Sequence, residues 1–531
     1  MSWIDAGIII VYLIAMLVIG FVVGKDNASQ EDYFLAGRSM PWLPVALSVA
    51  ATMISANSFI GGSGWAYTEG LMPFMQNITV PLACFLAVFI AVPVFYHLRV
   101  SSVYEYMELR MGKFTRLLTV AQFFINSLIQ VSSMVYIPAL IIQTITGWSL
   151  NVIVPLTVLC AIIYTVAGGI KAVIWTDAVQ MVVLWGGLIF ILIYAMNSTG
   201  LGFFTTLGEA HAAGKFNAFD FSLDVTKTNC FLASCFGIFQ WVRYFCFDQA
   251  QVQRILTSKS MRGIKRSFVS SSIIMNLMYF LMLFVGCIFF VYYGGREFAT
   301  SNEIMIGFML DNLPVGVLGL VIAAVFAAAM SSVDSLLNSM TTVFTKDIYE
   351  QYFAKEKGKT SSLRMTMTIS VVLGIFIILI VMFGFTGTVA SVIDVVGRYI
   401  SYFSGPALAS FLLAMFTTRA SDRGTAIGFL VGIVSGYLIA TTYNTSWLIN
   451  PAIGCAITLV VSYALSFVLP REKSLEDIRP YTVKGLRAKM IAEHQDKDAE
   501  GVSLLPFHLD QYGVALLVIF AAQYVILALI R

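Results

Sequence analysis

Four polar side chains stand where an apolar helix runs: Ser331, Ser332, Asp334 and Ser335 punctuate the string AAAMSSVDSLLNS at 327–339. Hydroxyl and carboxylate oxygens at helical spacing, with neither thiolate nor imidazole among them, suit a hard cation such as Na⁺. Serines within a membrane helix also satisfy themselves by bonding back to the preceding turn. Asp334 is harder to set aside, because an ionised carboxylate at membrane depth is expensive and marks a functional position. A second acid, Asp177, ends the string GGIKAVIWTD at 168–177. It has two readings: a second ion site or exit step, or a helix-end carboxylate paired with Lys171 or with a basic inner loop.

The counterpart of these oxygens is the segment SVAATMISANSFIGGSG at 48–64. Its glycines, Gly61, Gly62 and Gly64, interrupt an apolar run, and each costs about 1 kcal/mol in a helix interior relative to alanine. Backbone groups freed in hydrocarbon need partners. Released carbonyls coordinate cations, and broken helix ends address solutes. The same small residues equally permit close helix packing, so both readings stay open.

The elements that must position these groups follow from composition. Hydrophobic residues make up 59% of 531 positions and charged residues 11%, against roughly 45–50% and about 25% in soluble domains, which implies an all-α polytopic membrane protein. Apolar stretches long enough to cross about 30 Å of hydrocarbon number fourteen, centred near residues 14, 55, 84, 131, 160, 185, 240, 280, 330, 377, 408, 433, 460 and 520. The first lacks a basic flank and a cleavage site, so it reads as a retained helix. We divide the chain into a leading helix and loop (1–43), a five-helix repeat (44–197), an external loop (198–229), a second five-helix repeat (230–417) and three further helices (418–531), with a charged segment at 471–508. Five is odd, so the second repeat is expected upside down relative to the first, with the binding site at the midplane.

Most lysines and arginines fall in alternate loops, from Lys25 and Arg38 through Arg254–Arg266 to Arg471–Lys497. This pattern puts those loops in the cytoplasm and both termini outside, extracellular or periplasmic. The net charge of +3 therefore reflects topology, with no basic-aromatic tract for a nucleic acid. The loops at 198–230 and 295–313 are long enough to lid an entrance, or are simple connectors. The seven cysteines lie almost wholly in apolar runs without a CxxC pattern, and His97, His211, His494 and His508 lie in loops or at a span edge. With no HExxH and no GxSxG, no enzyme is expected; an ion channel is the alternative of another class.

Several strings resemble the sodium/solute symporter family, which includes sodium/glucose cotransporters, bacterial sialic acid transporters, and monocarboxylate and multivitamin carriers. They are DYFLAGR at 32–38, the segment 48–64, GGIKAVIWTDAVQ at 168–180, DQAQVQR at 248–254, SSVDSLLNS at 331–339, GPAL at 405–408 and RGTAIG at 423–428. The resemblance implies a LeuT-like core, Na⁺ as coupling ion, alternating access, a monomeric functional unit and a multi-pass protein of the plasma membrane, the bacterial inner membrane in particular. It implies a main Na⁺ site of Ala51 and Ile54 with Ala328, Ser331 and Ser332. A second site like that of the sialic acid carriers falls on Asp177, Ser331, Asp334 and Ser335. There Asp334 replaces an expected serine, and either strengthens cation binding or holds a proton.

For the solute, the resemblance places Ser58, Gln76, Asn77 and Trp241 on the pocket and Tyr244, with Phe245, on the inner gate. Gln76 and Asn77 both donate and accept hydrogen bonds, as hydroxyl-rich solutes require. The rings of 241, 244 and 245 either stack on a sugar face or form interfacial packing. Gln130 stands where sialic acid carriers place an arginine. Arg243 either clamps a carboxylate or pairs with Asp248. These features favour sodium-coupled symport of a small polar solute, a sugar or sugar derivative, with a small carboxylate (sialic acid, a monocarboxylate or a vitamin) as the alternative.

Overall fold

The computed structural model describes residues 2–25, 29–354, 361–384 and 389–531, with the side chains of 57, 302 and 389–396 excepted. No β-strand occurs among the described residues. The principal helices are α1 (Trp3–Gly24), α2 (Trp42–Met53), α3 (Ala56–Glu69), α4 (Met72–Leu98), α5 (Lys113–Thr146), α6 (Leu150–Ser198), α7 (Phe203–Ala212), α8 (Cys230–Phe247) and α9 (Gln249–Leu256). They continue with α10 (Met261–Tyr292), α11 (Ser301–Asn312), α12 (Val317–Phe353), α13 (Leu363–Gly384), α14 (Val389–Phe416), α15 (Asp422–Tyr443), α16 (Asn450–Val468), α17 (Val483–Ala492) and α18 (Gln511–Ile530). Among the described residues 12 helices are long and apolar enough to cross a membrane, or 13 with the bent pair α2/α3 as one span.

The pair α2/α3 bends by 59°. The break lies at Ile54–Ser55, upstream of the glycines expected to make it. Ile54 is extended (φ −87°, ψ 103°), and the Ser55 hydroxyl accepts the Ser58 N–H as the N-cap of α3. Gly61, Gly62 and Gly64 lie inside regular helix. A Cβ on Gly64 would collide with the Ser301 carbonyl of α11, and one on Gly286 of α10 with the Ser63 carbonyl. Close packing, the second reading of the glycine run, is what Gly64 serves, because small residues let backbones approach.

Two more interruptions matter. Within the 49 residues of α6, Gly169 takes φ +56° and ψ −153°, and its missing Cβ leaves room for the Tyr33 carbonyl and ring. Asp248 (φ −85°, ψ 128°) separates α8 from α9, and its Oδ1 accepts the Ala250 N–H at 3.0 Å, an N-cap made by a short polar side chain.

Burial sorts the helices from centre to rim. In its most apolar window α12 is 83% buried, whereas α1, α13 and α18 are 28%, 28% and 22% buried. The first is surrounded by protein, and the other three offer their apolar sides to lipid. Helix α12 packs on α6, α5, α1 and α2.

The two long connections fold over the end of α3. Lys215 Nζ donates to the carbonyls of Tyr67 and Thr68 at 2.8 and 2.9 Å, a cation satisfying the last turn of a helix. Tyr67 donates its hydroxyl to the Arg296 carbonyl at 2.6 Å, and its ring packs on Phe290, Tyr293 and Phe298.

Candidate functional site

The last ladder bond of α2 runs from Ile54 N–H to the Ala50 carbonyl at 3.2 Å. Carbonyls from Ala51 onward have thus run out of helical donors, as the last four of any helix do. Ala51 and Ile54 are buried. On α12, Ala328, Ser331 and Ser332 are fully buried, and both serine hydroxyls donate to the Ala328 carbonyl, at 3.2 and 3.1 Å. Thr52 Oγ1 lies 3.3 Å from Ser335 Oγ, which ties the frayed end of α2 to α12 one turn beyond Ser331. Carbonyls and hydroxyls with no sulfur or imidazole fit a hard monovalent cation. Among the described residues no group of three or more His, Cys, Asp or Glu is placed to hold a metal ion.

Next to this lies an ionic cluster whose principal members, Asp177, Asp334, Ser335 and Arg254, are all fully buried. Asp177 Oδ2 accepts the Ser48 hydroxyl at 2.5 Å and lies 3.5 Å from both Arg254 Nη2 and Ser335 Oγ. Arg254 Nε donates to Ser48 Oγ at 2.8 Å, and its other nitrogens donate to Ser335 Oγ and to the Ala250 carbonyl. Asp334 Oδ2 accepts the Tyr164 hydroxyl at 2.6 Å and Thr176 Oγ1 at 3.4 Å, while its Oδ1 lies 3.2 Å from Ser335 Oγ. Asp177 Oδ1 is buried without a partner.

The structure therefore gathers Asp177, Asp334 and Ser335, three of the four residues expected at a second ion site, while the fourth, Ser331, turns to Ala328. A guanidinium sits on the oxygens that an ion there would use. Of the two readings of Asp177, the pairing seen is with Arg254, which the sequence reads as a basic inner-loop residue and which lies on the buried helix α9.

On the solute side, the Trp241 indole N–H donates to the Gln76 carbonyl at 2.8 Å, and Gln76 Nε2 reaches Thr228 Oγ1 at 3.5 Å. Trp241, Tyr244 and Phe245 form one ring cluster, with centroids 5.2–6.3 Å apart. The Tyr244 hydroxyl accepts Gln251 Nε2 of α9 at 2.7 Å, which fastens the expected gate to the helix below it. Asn77 is buried beside Gln76. The Ser58 hydroxyl lies 3.5 Å from that of Ser55, and Gln130 is half-buried on α5 with its carbonyl taken by Ser133. The hydrogen bonds described leave these two outside the tryptophan group. Arg243 Nη1 meets Asp248 Oδ2 at 2.8 Å, both nearly buried, so its charge braces the α8/α9 break.

Several contributors escaped the sequence reading. Arg254 was placed in a basic loop, yet all eight residues of α9 are buried. The cue was the capping Asp248 followed by a short polar helix rather than a charged run. Ser48 and Thr52 sit in the broken segment but were given no role, and Tyr164 and Thr176 carried no signal apart from lying in the apolar run that contains Asp177.

Residues 33–432 match the model of the sodium:solute symporter family. The sodium/sialic acid symporter of Proteus mirabilis is 28% identical over 453 residues, covering 84% of this chain and 90% of that protein. The sodium/glucose cotransporter of Vibrio parahaemolyticus is 28% identical over 462 residues, covering 82% and 84%. A solved Na⁺-coupled sialic acid symporter in its substrate-bound outward-open state, in which a novel Na⁺ site was found, superposes with a TM-score of 0.80 at 26% identity, covering 89% of this chain and 99% of the other.

Proposed function

The chain belongs to the sodium:solute symporter family, and from that premise we propose how this multi-pass sodium-coupled carrier is built and what it carries. Among the described residues, thirteen apolar spans with α2/α3 taken as one, and a fourteenth when α6 is divided at Gly169, support a chain of about fourteen spans. The first helix of each five-helix set is interrupted, at Ile54–Ser55 and at Asp248. An interruption associated with the first helix of each set supports two repeats at 44–197 and 230–417 in inverted orientation. The basic residues of alternate loops support both termini outside, and the family relationship supports a plasma membrane of bacterial inner-membrane type with one chain as the working unit.

Sodium binds between Ala51 and Ile54 of α2 and Ala328, Ser331 and Ser332 of α12. The observation that carries this assignment is the frayed end of α2 held against α12 through Thr52 and Ser335. The ion joins the two helices, which completes the solute pocket around Gln76, Asn77 and Trp241, with Ser58 and Gln130 at its margin. Access then shifts to the side guarded by Tyr244 and Phe245. One charge moving inward is worth about 2.3 kcal/mol per 100 mV, and about 1.4 kcal/mol corresponds to a factor of ten. A single Na⁺ thus supports more than tenfold accumulation of a neutral solute.

At the second locus, formed by Asp177, Asp334 and Ser335, Arg254 already supplies a cation. A further Na⁺ there must share or displace that guanidinium.

The solute is a small polar molecule, a sugar or sugar derivative. Arg243 is engaged with Asp248 rather than free for a carboxylate, and amide and indole groups line the expected pocket. The similarity to sialic acid carriers supports the second reading, a small carboxylate. Uptake into proteoliposomes under a sodium gradient, competed by neutral sugars and by small carboxylates and repeated with Arg243→Ala, separates the two. Uptake that ignores sodium would overturn the coupling assignment. Carboxylate-only competition, lost in Arg243→Ala, would overturn the sugar reading.

A further inference from the structure

A cleft of about 430 Å³ opens between the start of α10 and the segment leading into α18, walled by Arg262, Arg266, Ser503, His508, Gln511 and Tyr512 among others. It is a polar cavity at the level where two membrane helices begin. Arg262 and Arg266 are one helical turn apart and so share a face. The acids nearby are largely accounted for. Asp510 Oδ2 is held by Lys265 Nζ at 2.7 Å, and its Oδ1 accepts the N–H groups of Tyr512 and Gly513 at 3.0 Å each. Burial opposes ionisation of Asp510, yet Lys265 and those two N–H groups outweigh it and hold the carboxyl below its ordinary range. Glu500 meets Arg262 at 3.3 Å on an exposed rim, where a pair is weak and screened. Arg266 is exposed and no hydrogen bond or ion pair is described for it. The cleft therefore has more positive charge than it neutralises.

What lies beyond the cleft identifies the occupant. Ile273 and Leu277, seven and eleven residues after Arg266, lie on the same helical face and are 47% and 46% exposed. On α18, Val514 and Val518 are 45% and 59% exposed. The two helices touch, and each carries exposed apolar residues beyond the cleft. A basic pocket thus continues into an apolar seam, the shape and polarity of a phospholipid: a phosphate for the guanidinium groups, which suit phosphate oxygens bidentately, and acyl chains for the seam.

We propose that this cleft binds the headgroup phosphate of an anionic glycerophospholipid whose chains run along the α10–α18 seam. Basic pockets between membrane helices at the headgroup level recognise such lipids through the same charge attraction. The site shares no residue with the sodium or solute positions, so it stands or falls separately from them.

The test is native mass spectrometry of the purified full chain with phosphatidylglycerol, phosphatidylcholine or inorganic phosphate. Wild-type protein is expected to retain phosphatidylglycerol at least tenfold better than phosphatidylcholine and to show no phosphate adduct at equal concentration. The double variant Arg262→Gln/Arg266→Gln is expected to lose that preference, and Arg266→Lys to keep most of it. Thermal unfolding in neutral detergent checks that the variants are folded. Should the double variant unfold, the exposed single variant Arg266→Gln carries the same expectation, at least a threefold loss. Equal retention of the two lipids by wild type, an unchanged preference in the folded variants, or phosphate binding as well as the lipid would each overturn the assignment.

Discussion

Replacing Ser332 by alanine tests the sodium site most directly, because the structure separates its two consequences. In the fold, the Ser332 hydroxyl makes one neutral hydrogen bond, to the Ala328 carbonyl at 3.1 Å. Its loss costs about 1 kcal/mol of stability, and the freed carbonyl is still served by Ser331 at 3.2 Å. As an ion ligand, the same oxygen faces a full charge, and interactions of that kind are worth about 1.5–3 kcal/mol. At about 1.4 kcal/mol per factor of ten, sodium affinity is expected to fall roughly 10- to 150-fold. The assay is equilibrium binding of radioactive sodium to purified protein, with the sodium dependence of solute uptake beside it. Ser332→Thr keeps an oxygen at this position and is expected to retain most of the affinity. A folded Ser332→Ala protein whose half-saturating sodium concentration stays within about twofold of wild type, where one lost ligand demands about tenfold, would refute the reasoning that places the ion at α2 and α12.

Three further outcomes follow from contacts away from that site. Gly64→Val drives a side chain into the Ser301 carbonyl; overpacking of this kind costs about 1–3 kcal/mol, read as a lower unfolding temperature with α11 losing hydrogen-exchange protection. Lys215→Met removes the cation from the Tyr67 and Thr68 carbonyls, so exchange is expected to rise at the end of α3 while α12 keeps its protection. Asp510, whose carboxyl is held below its ordinary range, stabilises the start of α18 above the unfolded carboxylate value of about 3.9 and ceases to do so as pH falls through its lower folded value. Exchange of residues 501–513 is accordingly expected to rise on acidification below about pH 4, and Asp510→Asn to abolish that pH dependence.

The helical class and the hydroxyl-lined α12 were legible because apolar run length and intruding polar residues are local signals. The position of the first break was not, because the glycines at 61, 62 and 64 advertise flexibility while lying in regular helix, where Gly64 serves proximity to Ser301. The decisive cue, Ser55 capping α3, is one hydroxyl among several serines in that segment. Asp177 was recognised as special, but its partner was hidden. Arg254 is distant in sequence and looks like a loop cation until Asp248 is seen to start a helix that carries it into the protein. Sequence spacing reports neighbours on one element; it is blind to which side chain a different element delivers.

The two ends of the proposed transport path are fastened by different physics. At the end of α3 the packing is largely a cluster of rings, Tyr67 with Phe290, Tyr293 and Phe298, whereas Tyr244 is held by the Gln251 amide of α9, the helix whose Arg254 guanidinium bonds Ser48. Ring burial loses driving force on cooling, but hydrogen-bonded charge does not follow that trend. On the proposed path temperature is therefore a lever: chilling is expected to loosen the aromatic cluster first and to bias the resting population toward opening on that side.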